Sequence, residues 1–412
     1  MAIANVSDET LKQILADNLT PSKSIQTPER LFGRTRVLTT IDRALNSPGR
    51  QIFIYGDRGV GKTSLALTAA YLHTSSANVP INVMCGRYSS FAEVIQAIGN
   101  ATVPVQERLA EKSSGGGVQL NFPVAGGIGY TRATKTGGII NPPTSLNEAL
   151  DIVRYVASKS RGKQVIIIDE MERISSPEEK EKFAEFIKNI PELSDDIRFI
   201  FCGIGHDLTE LLQAHASASR ILETINLERL HHSDLWQIIT VVAEKLGLQI
   251  QRDALIRIGQ ISDGFPHYVH LIGESLFWSM FDDPEVVKAS NAAHYKSGIE
   301  GALQRTEAIL RAQYDKATQK TRNTADYEEA LWALADSTAD RRQITEIYES
   351  SYSRIMAKRA RVRLPRDTLN QRYLSLRKES HGRIVVGYGS GWFAFREKSI
   401  RRSIRHRHSG SG

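Results

Sequence analysis

The sequence predicts an α/β fold with a parallel sheet, continued by an all-helical segment and then by a basic helix-and-hairpin domain. Three observations predict it. Short apolar runs, QIFIYG (51–56), QVIIIDE (164–170) and RFIFCGIG (198–205), alternate with helical patterns, as buried parallel strands do. From Leu227 to about Trp278 such runs stop, and DLWQIITVVAEKLGL, DALIRIGQIS and YVHLIGESLFWSM carry helical periodicity alone. Charge is also unevenly placed. The 412 residues have a net charge of +7, yet residues 340–412 hold 18 Lys+Arg against 6 Asp+Glu, which leaves the remainder slightly acidic.

A chain of this length exceeds what one hydrophobic core supports, so several domains are expected. The hydrophobic fraction of 41% excludes a wholly disordered or collagen-like chain. Two cysteines, Cys85 and Cys202, exclude a disulfide scaffold and a multi-cysteine metal site. The polar start MAIANVSDETLK has no apolar signal core, and no run approaches a membrane span. A soluble, cytoplasmic protein with no membrane contact is expected. Residues 1–27 read as a polar leader, 28–228 as the α/β core, 229–283 as a helical lid, 284–325 as a helical linker and 326–408 as the basic domain.

After the first strand, Gly56-Asp57-Arg58-Gly59-Val60-Gly61-Lys62-Thr63 satisfies G-x-x-x-x-G-K-[ST], and Ser64 continues into a helix. Phosphate chemistry needs this arrangement: glycines let backbone N–H groups wrap phosphate oxygens, and the helix N-terminus adds its dipole. Lys62 is placed to reach the β and γ oxygens, and Thr63 to supply a hydroxyl to Mg²⁺. The partner signal is an acidic pair ending a buried strand, and Val165-Ile166-Ile167-Ile168-Asp169-Glu170 supplies it. Asp169 is assigned to the Mg²⁺ and Glu170 to the attacking water. ATP and Mg²⁺ are the expected cofactors.

At these residues the chain resembles AAA+ ATPases, and more closely their origin-recognition and STAND-like branch. Arg30-Leu31-Phe32-Gly33-Arg34 looks like the segment bordering the adenine in that branch, which implies Phe32 and Arg34 at the nucleotide. DEMERI (169–174) is similar to its acidic strand end. His215-Ala216-Ser217-Ala218-Ser219-Arg220 looks like the segment presenting an arginine finger, which implies Arg220 acting in trans on a neighbouring subunit. Gly264-Phe265-Pro266-His267 occupies the place of the lid motif, implying Pro266 and His267 at the nucleotide, and His206 stands where relatives put a polar sensor. The resemblance implies a homo-oligomer.

Between Lys62 and Asp169, residues 113–138 read as a glycine-flanked β-hairpin, either a contact loop or a decoration of the core. In the basic domain, DYEEALWALAD, QITEIYESSYSRIM and TLNQRYLSLRKES read as three helices, and RIVVGYGSGWFAFRE as a hairpin. That order resembles a winged helix, whose third helix enters the major groove of duplex DNA. Asn370, Gln371 and Arg372 are the groove-facing candidates. Arg361, Arg363 and Arg366 before the helix, and Arg396, Lys398, Arg401 and Arg402 after the wing, are the phosphate contacts.

The expected function is an oligomerising, ATP-dependent, DNA-binding ATPase, in initiation, mobile-element control or anti-phage defence. The alternatives are a STAND-like nucleotide latch that controls an effector protein, and a regulator that loads a transposase or helicase.

Overall fold

The computed structural model describes residues 3–86, 88–103, 139–174, 176–205, 218–318, 324–337, 339 and 341–396. The predicted hairpin at 113–138 and His206 lie outside the described residues. The chain folds as two compact units, Met1–Tyr295 and Lys296–Gly412.

In the first unit, β1 (Gln51–Tyr55), β2 (Ile81–Met84), β3 (Gln164–Asp169), β4 (Ile197–Gly203) and β5 (Leu222–Asn226) form one sheet in the order β2-β3-β4-β1-β5. Every pairing is parallel. The central strands are buried on both faces, which is why they read as unbroken apolar runs. Successive residues face opposite sides. Phe53, Ile166, Ile168, Phe199 and Phe201 face α4 (Phe91–Asn100), α5 (Leu146–Lys159) and α6 (Pro177–Asn189). Ile52, Ile54, Val165, Ile167, Ile200 and Cys202 face α2 (Thr35–Leu45) and α3 (Lys62–His73).

β1 and β3 end at the same edge of the sheet with β4 between them, and ligands of open α/β sheets gather at that carboxyl edge. Three helices follow as the expected lid: α7 (His232–Lys245), α8 (Arg252–Ser262) and α9 (Pro266–Phe281).

Two segments differ from expectation. Residues 1–27 are not a free leader. Their helix α1 (Asp8–Asn18) buries Leu11 and Leu15, and Lys245 at the end of α7 donates to Asn18 Oδ1 at 2.7 Å. The chain then crosses to the core, where Ile25 N–H donates to Ser64 Oγ at 3.1 Å and Thr68 Oγ1 donates to Ile25 O at 3.3 Å. Residues 20–25 thus form a strap from lid to phosphate loop. The expected linker 284–325 is also divided. Its start pairs with the lid, Gln249 N–H donating to Lys288 O at 2.9 Å and Ser290 N–H to Gln249 O at 2.8 Å. Helix α10 (Ala292–Thr318) then begins in the first unit and brings Tyr314 and Ala317 to the core of the second.

That second core joins α11 (Thr324–Ala335), a helix α12 made of Ile344–Glu346, a π-helical Ile347–Tyr352 and Ser353–Lys358, and α13 (Arg366–Leu376). Against them lies an antiparallel sheet of β6 (Arg342–Gln343), β7 (Val385–Gly387) and β8 (Trp392–Phe395), ordered β6-β8-β7. Three helices, α11–α13, thus precede the hairpin β7–β8 in this unit.

Candidate functional site

The loop 56–61 turns directly from β1 into α3. A Cβ at position 56 would lie 2.4 Å from Leu227 O, because Leu227 N–H donates to Tyr55 O at 2.7 Å and draws the two chains together. Only glycine fits there. Gly61 precedes α3 at φ 99°, and no side chain caps the helix. The first N–H groups of α3 are therefore free of a capping side chain, which is the condition for receiving phosphate.

Lys62, 8% exposed, folds back over the loop and donates to Gly56 O at 3.0 Å and Asp57 O at 3.1 Å. Thr63 Oγ1 donates to Asp169 Oδ2 at 2.6 Å across 106 residues of sequence. This contact brings the two predicted metal residues together. Thr63 and Asp169 offer hard oxygen donors close enough to share one cation, which suits Mg²⁺ with its few protein ligands and retained waters. Among the described residues no group of three His, Cys, Asp or Glu could hold a metal. A cation here would complete its shell with waters and phosphate oxygens.

Glu170 has a left-handed backbone, φ 58° and ψ 38°, rare for a residue with a side chain. Its N–H donates to Asp169 Oδ1 at 2.8 Å, which supports the turn at the strand end. Arg173, one 3₁₀ turn further on, holds the Glu170 carboxylate through Nε to Oε2 at 2.7 Å and a second nitrogen to Oε1 at 3.3 Å. A forked guanidinium is the strongest carboxylate partner a side chain offers. Arg173 stands inside DEMERI, a pattern that by itself assigns it no role.

Lys62, Thr63, Asp169 and Glu170 line a cleft of about 360 Å³. Phe32, Arg34, Arg58, Gly59, Val60, Gly61, Ser64, Pro266 and His267 line it as well, together with strap residues 20–25. Several side chains have tasks other than those expected. Arg34, 7% exposed, donates to Val60 O at 3.2 Å and Glu228 O at 2.6 Å, bracing the phosphate loop rather than presenting its charge to a ligand. The Asp57 side chain does not face the cleft chemistry: it pairs with Arg229 at 3.4 Å, and Arg229 also holds Asp263 at 2.8 Å and lies over the Phe265 ring. Arg229 thereby joins the phosphate loop to the αL residue that ends α8. The sequence showed no motif for it. His267 Nδ1 donates to Pro21 O at 2.8 Å, which ties α9 to the strap. Arg220 is exposed in a single helical turn, Ala218–Ile221, just before β5.

Both cysteines are core residues. Burial, with the Asp169 carboxylate nearby, pushes the Cys85 thiol up to about 12 and Cys202 well above its ordinary value. Neither is a thiolate near neutral pH.

In the second unit the predicted DNA residues divide. Arg366 and Gln371 are exposed on α13 and Asn370 is half-buried. Arg363 donates to Ser353 Oγ at 2.7 Å, and exposed Arg396 donates to Arg383 O at 2.9 Å. Arg361 and Arg372 have a different task. Arg361 pairs with buried Glu329 at 2.7 Å, and Arg372 pairs with Asp326 at 3.1 Å, so both are neutralised by α11. Lys398, Arg401 and Arg402 lie outside the described residues. No helix among the described residues is long and apolar enough to cross a membrane.

A family model described as Novel STAND NTPase 1 matches residues 24–364. A search of curated proteins finds no match. Among solved structures, the chain is similar to a Walker-type ATPase of Pyrococcus abyssi, with a TM-score of 0.57 and 13% identity over 93% of this chain and 99% of that one. It is also similar to the ORC2 protein of Aeropyrum pernix in ADPNP–ADP complexes, with a TM-score of 0.50 and 12% identity over 97% and 98% of the two chains. At such identities the likeness is one of fold: a parallel P-loop core of the AAA+ type. The family match runs from the strap through the cleft and lid to the connector before α13, and the chain belongs to the Novel STAND NTPase 1 family.

Proposed function

We propose that the chain binds ATP with Mg²⁺ in the cleft, assembles into an oligomer in that state, hydrolyses the nucleotide to reset, and binds duplex DNA through its basic second unit. One observation carries the nucleotide reading: Lys62, Thr63, Asp169 and Glu170, far apart in sequence, converge at the carboxyl edge of one sheet. Lys62 exchanges its two carbonyl partners for phosphate oxygens, and the α3 N–H groups take the remaining phosphate charge. Thr63 and Asp169 would hold the Mg²⁺, which supplies positive charge to the phosphate oxygens when bound. Glu170 orients the attacking water and accepts its proton. Arg220 lies exposed, as a finger offered to a neighbouring subunit must. The A. pernix ORC2 protein carries ADPNP and ADP, which supports an adenine nucleotide here.

A second reading, a nucleotide latch that governs an effector protein, is favoured by the Arg173 fork on Glu170. A base held by a salt bridge hydrolyses slowly and keeps the bound state long-lived.

The experiment for the DNA part is duplex binding and ATP turnover with and without duplex. If four phosphates are neutralised, affinity falls roughly a hundredfold between 50 and 200 mM salt. Arg366→Ala is expected to weaken binding without changing the melting temperature. Arg361→Ala is expected to lower the melting temperature by leaving Glu329 buried without its strongest partner. Absence of salt-dependent binding, together with no stimulation of turnover, would sink the DNA part of the proposal.

A further inference from the structure

Among the polar side chains of the cleft that the phosphate chemistry leaves unused is a buried histidine. His270 lies on α9 one turn beyond His267, is 5% exposed, and lines the cleft with Leu230, Ile238 and Pro266. His267 has its partner in Pro21 O. His270 Nδ1, by contrast, is buried and has no hydrogen-bond partner among the described residues. A buried polar nitrogen without a partner is unfavourable, and a bound ligand that pairs with it recovers the loss.

Charge narrows what that ligand group can be. Arg30 and His267 are the groups whose charge acts on the ring. Burial, reinforced by the Arg30 guanidinium, pushes its pKa down to about 4. The imidazole is therefore neutral near pH 7, with one nitrogen donating and the other accepting. A neutral ring adds little for phosphate, whose charge is already met by Lys62, Thr63 and the start of α3. What is left of a nucleotide is a polar ribose and a flat base with apolar faces and a donor–acceptor edge, and the apolar wall beside His270 suits the base rather than the sugar. Leu230, Ile238 and Pro266 suit the faces, and His270 suits the edge.

We propose that His270 reads the base of the bound nucleotide by hydrogen bonding to its edge, and so sets the preference for ATP over GTP. The proposal rests on the nucleotide reading of the cleft, and its test separates the two.

The full chain with Mg²⁺ is titrated calorimetrically with ATP, GTP and inorganic tripolyphosphate, a probe without a base. In wild type, all three are expected to bind, with ATP ahead of GTP. His270→Ala is expected to lose about tenfold in ATP affinity, to bring the ATP/GTP ratio towards one, and to keep its tripolyphosphate affinity. His270→Gln, which keeps a donor and an acceptor, is expected to recover part of the ATP affinity. If His270→Ala binds ATP as tightly and as selectively as wild type while Lys62→Ala abolishes binding, the base-reading role is refuted and the nucleotide site stands. Equal loss of ATP and tripolyphosphate in His270→Ala makes the residue structural and overturns the proposal. If wild type binds neither ATP nor tripolyphosphate, the site reading fails, and this proposal fails with it.

Discussion

Replacing Glu170 by Gln is expected to leave ATP binding near the wild-type level and to lower hydrolysis by about 10²–10⁴-fold, the usual contribution of a positioned general base. The amide keeps the side chain's size and can still bond Arg173, but it cannot take a proton from water. Asp169 sits one residue earlier and has both oxygens engaged as acceptors, Oδ2 from the Thr63 hydroxyl and Oδ1 from the Glu170 N–H, so it is not placed to substitute. Binding by equilibrium titration and turnover by phosphate release check the two halves separately. A Glu170→Gln chain that hydrolyses ATP at the wild-type rate removes Glu170 from the mechanism. Because the variant holds ATP without spending it, any ATP-dependent assembly is expected to be larger and longer-lived by light scattering.

Arg220→Ala is expected to reduce turnover by about 10³–10⁵-fold, the range of an arginine finger, with ATP affinity little changed. A guanidinium supplied from another subunit acts on charge that builds only in the transition state, so its removal shows in turnover rather than in binding. Mixing provides the decisive arm. Neither Arg220→Ala nor Glu170→Gln chains are expected to turn over appreciably alone, but mixed oligomers would place an intact Arg220 beside an intact Glu170. Recovery of activity on mixing is the expected result. Failure to recover, with both variants folded and assembled, assigns Arg220 no role in trans.

The phosphate loop and the acidic strand end were legible because each is a local pattern on a central strand. β1, β3 and β4 are buried on both faces, so their residues run Ile-Phe-Ile, Ile-Ile-Ile and Phe-Ile-Phe without interruption. The edge strands were not legible for the same physical reason. β2 exposes Met84, and β5 alternates buried Leu222 and Ile225 with exposed Thr224 and Asn226, so neither gives a continuous apolar run. The strap was misread because its Thr-Pro-Ser composition resembles a leader. Leu11 and Leu15, four apart on α1, were the available sign that this segment packs.

Arg34, Arg229, Arg173 and His270 illustrate what a pattern cannot supply. Their tasks depend on Glu228, Asp263, Glu170 and the cleft wall, partners that only the fold brings near. The basic domain shows the converse error. Counting charge from residue 340 omits Asp326 and Glu329, which α11 carries beneath the connector and α13 and which neutralise Arg372 and Arg361. Of the groove-facing candidates Gln371 is exposed, Asn370 is half-buried and Arg372 is paired, and of the phosphate-contact candidates Arg366 stays exposed at the start of α13.

The central claim is that one cleft holds ATP through Lys62 and through a metal shared by Thr63 and Asp169. The most direct measurement is equilibrium binding of ATP to the full chain, with Mg²⁺ and with EDTA, for wild type and Lys62→Ala. Binding to wild type is expected to be saturable and tightest with Mg²⁺, to weaken in EDTA and to fall at least tenfold in Lys62→Ala. No binding of ATP to wild type with Mg²⁺, or equally tight binding to Lys62→Ala, would rule out a nucleotide site built on Lys62, Thr63 and Asp169.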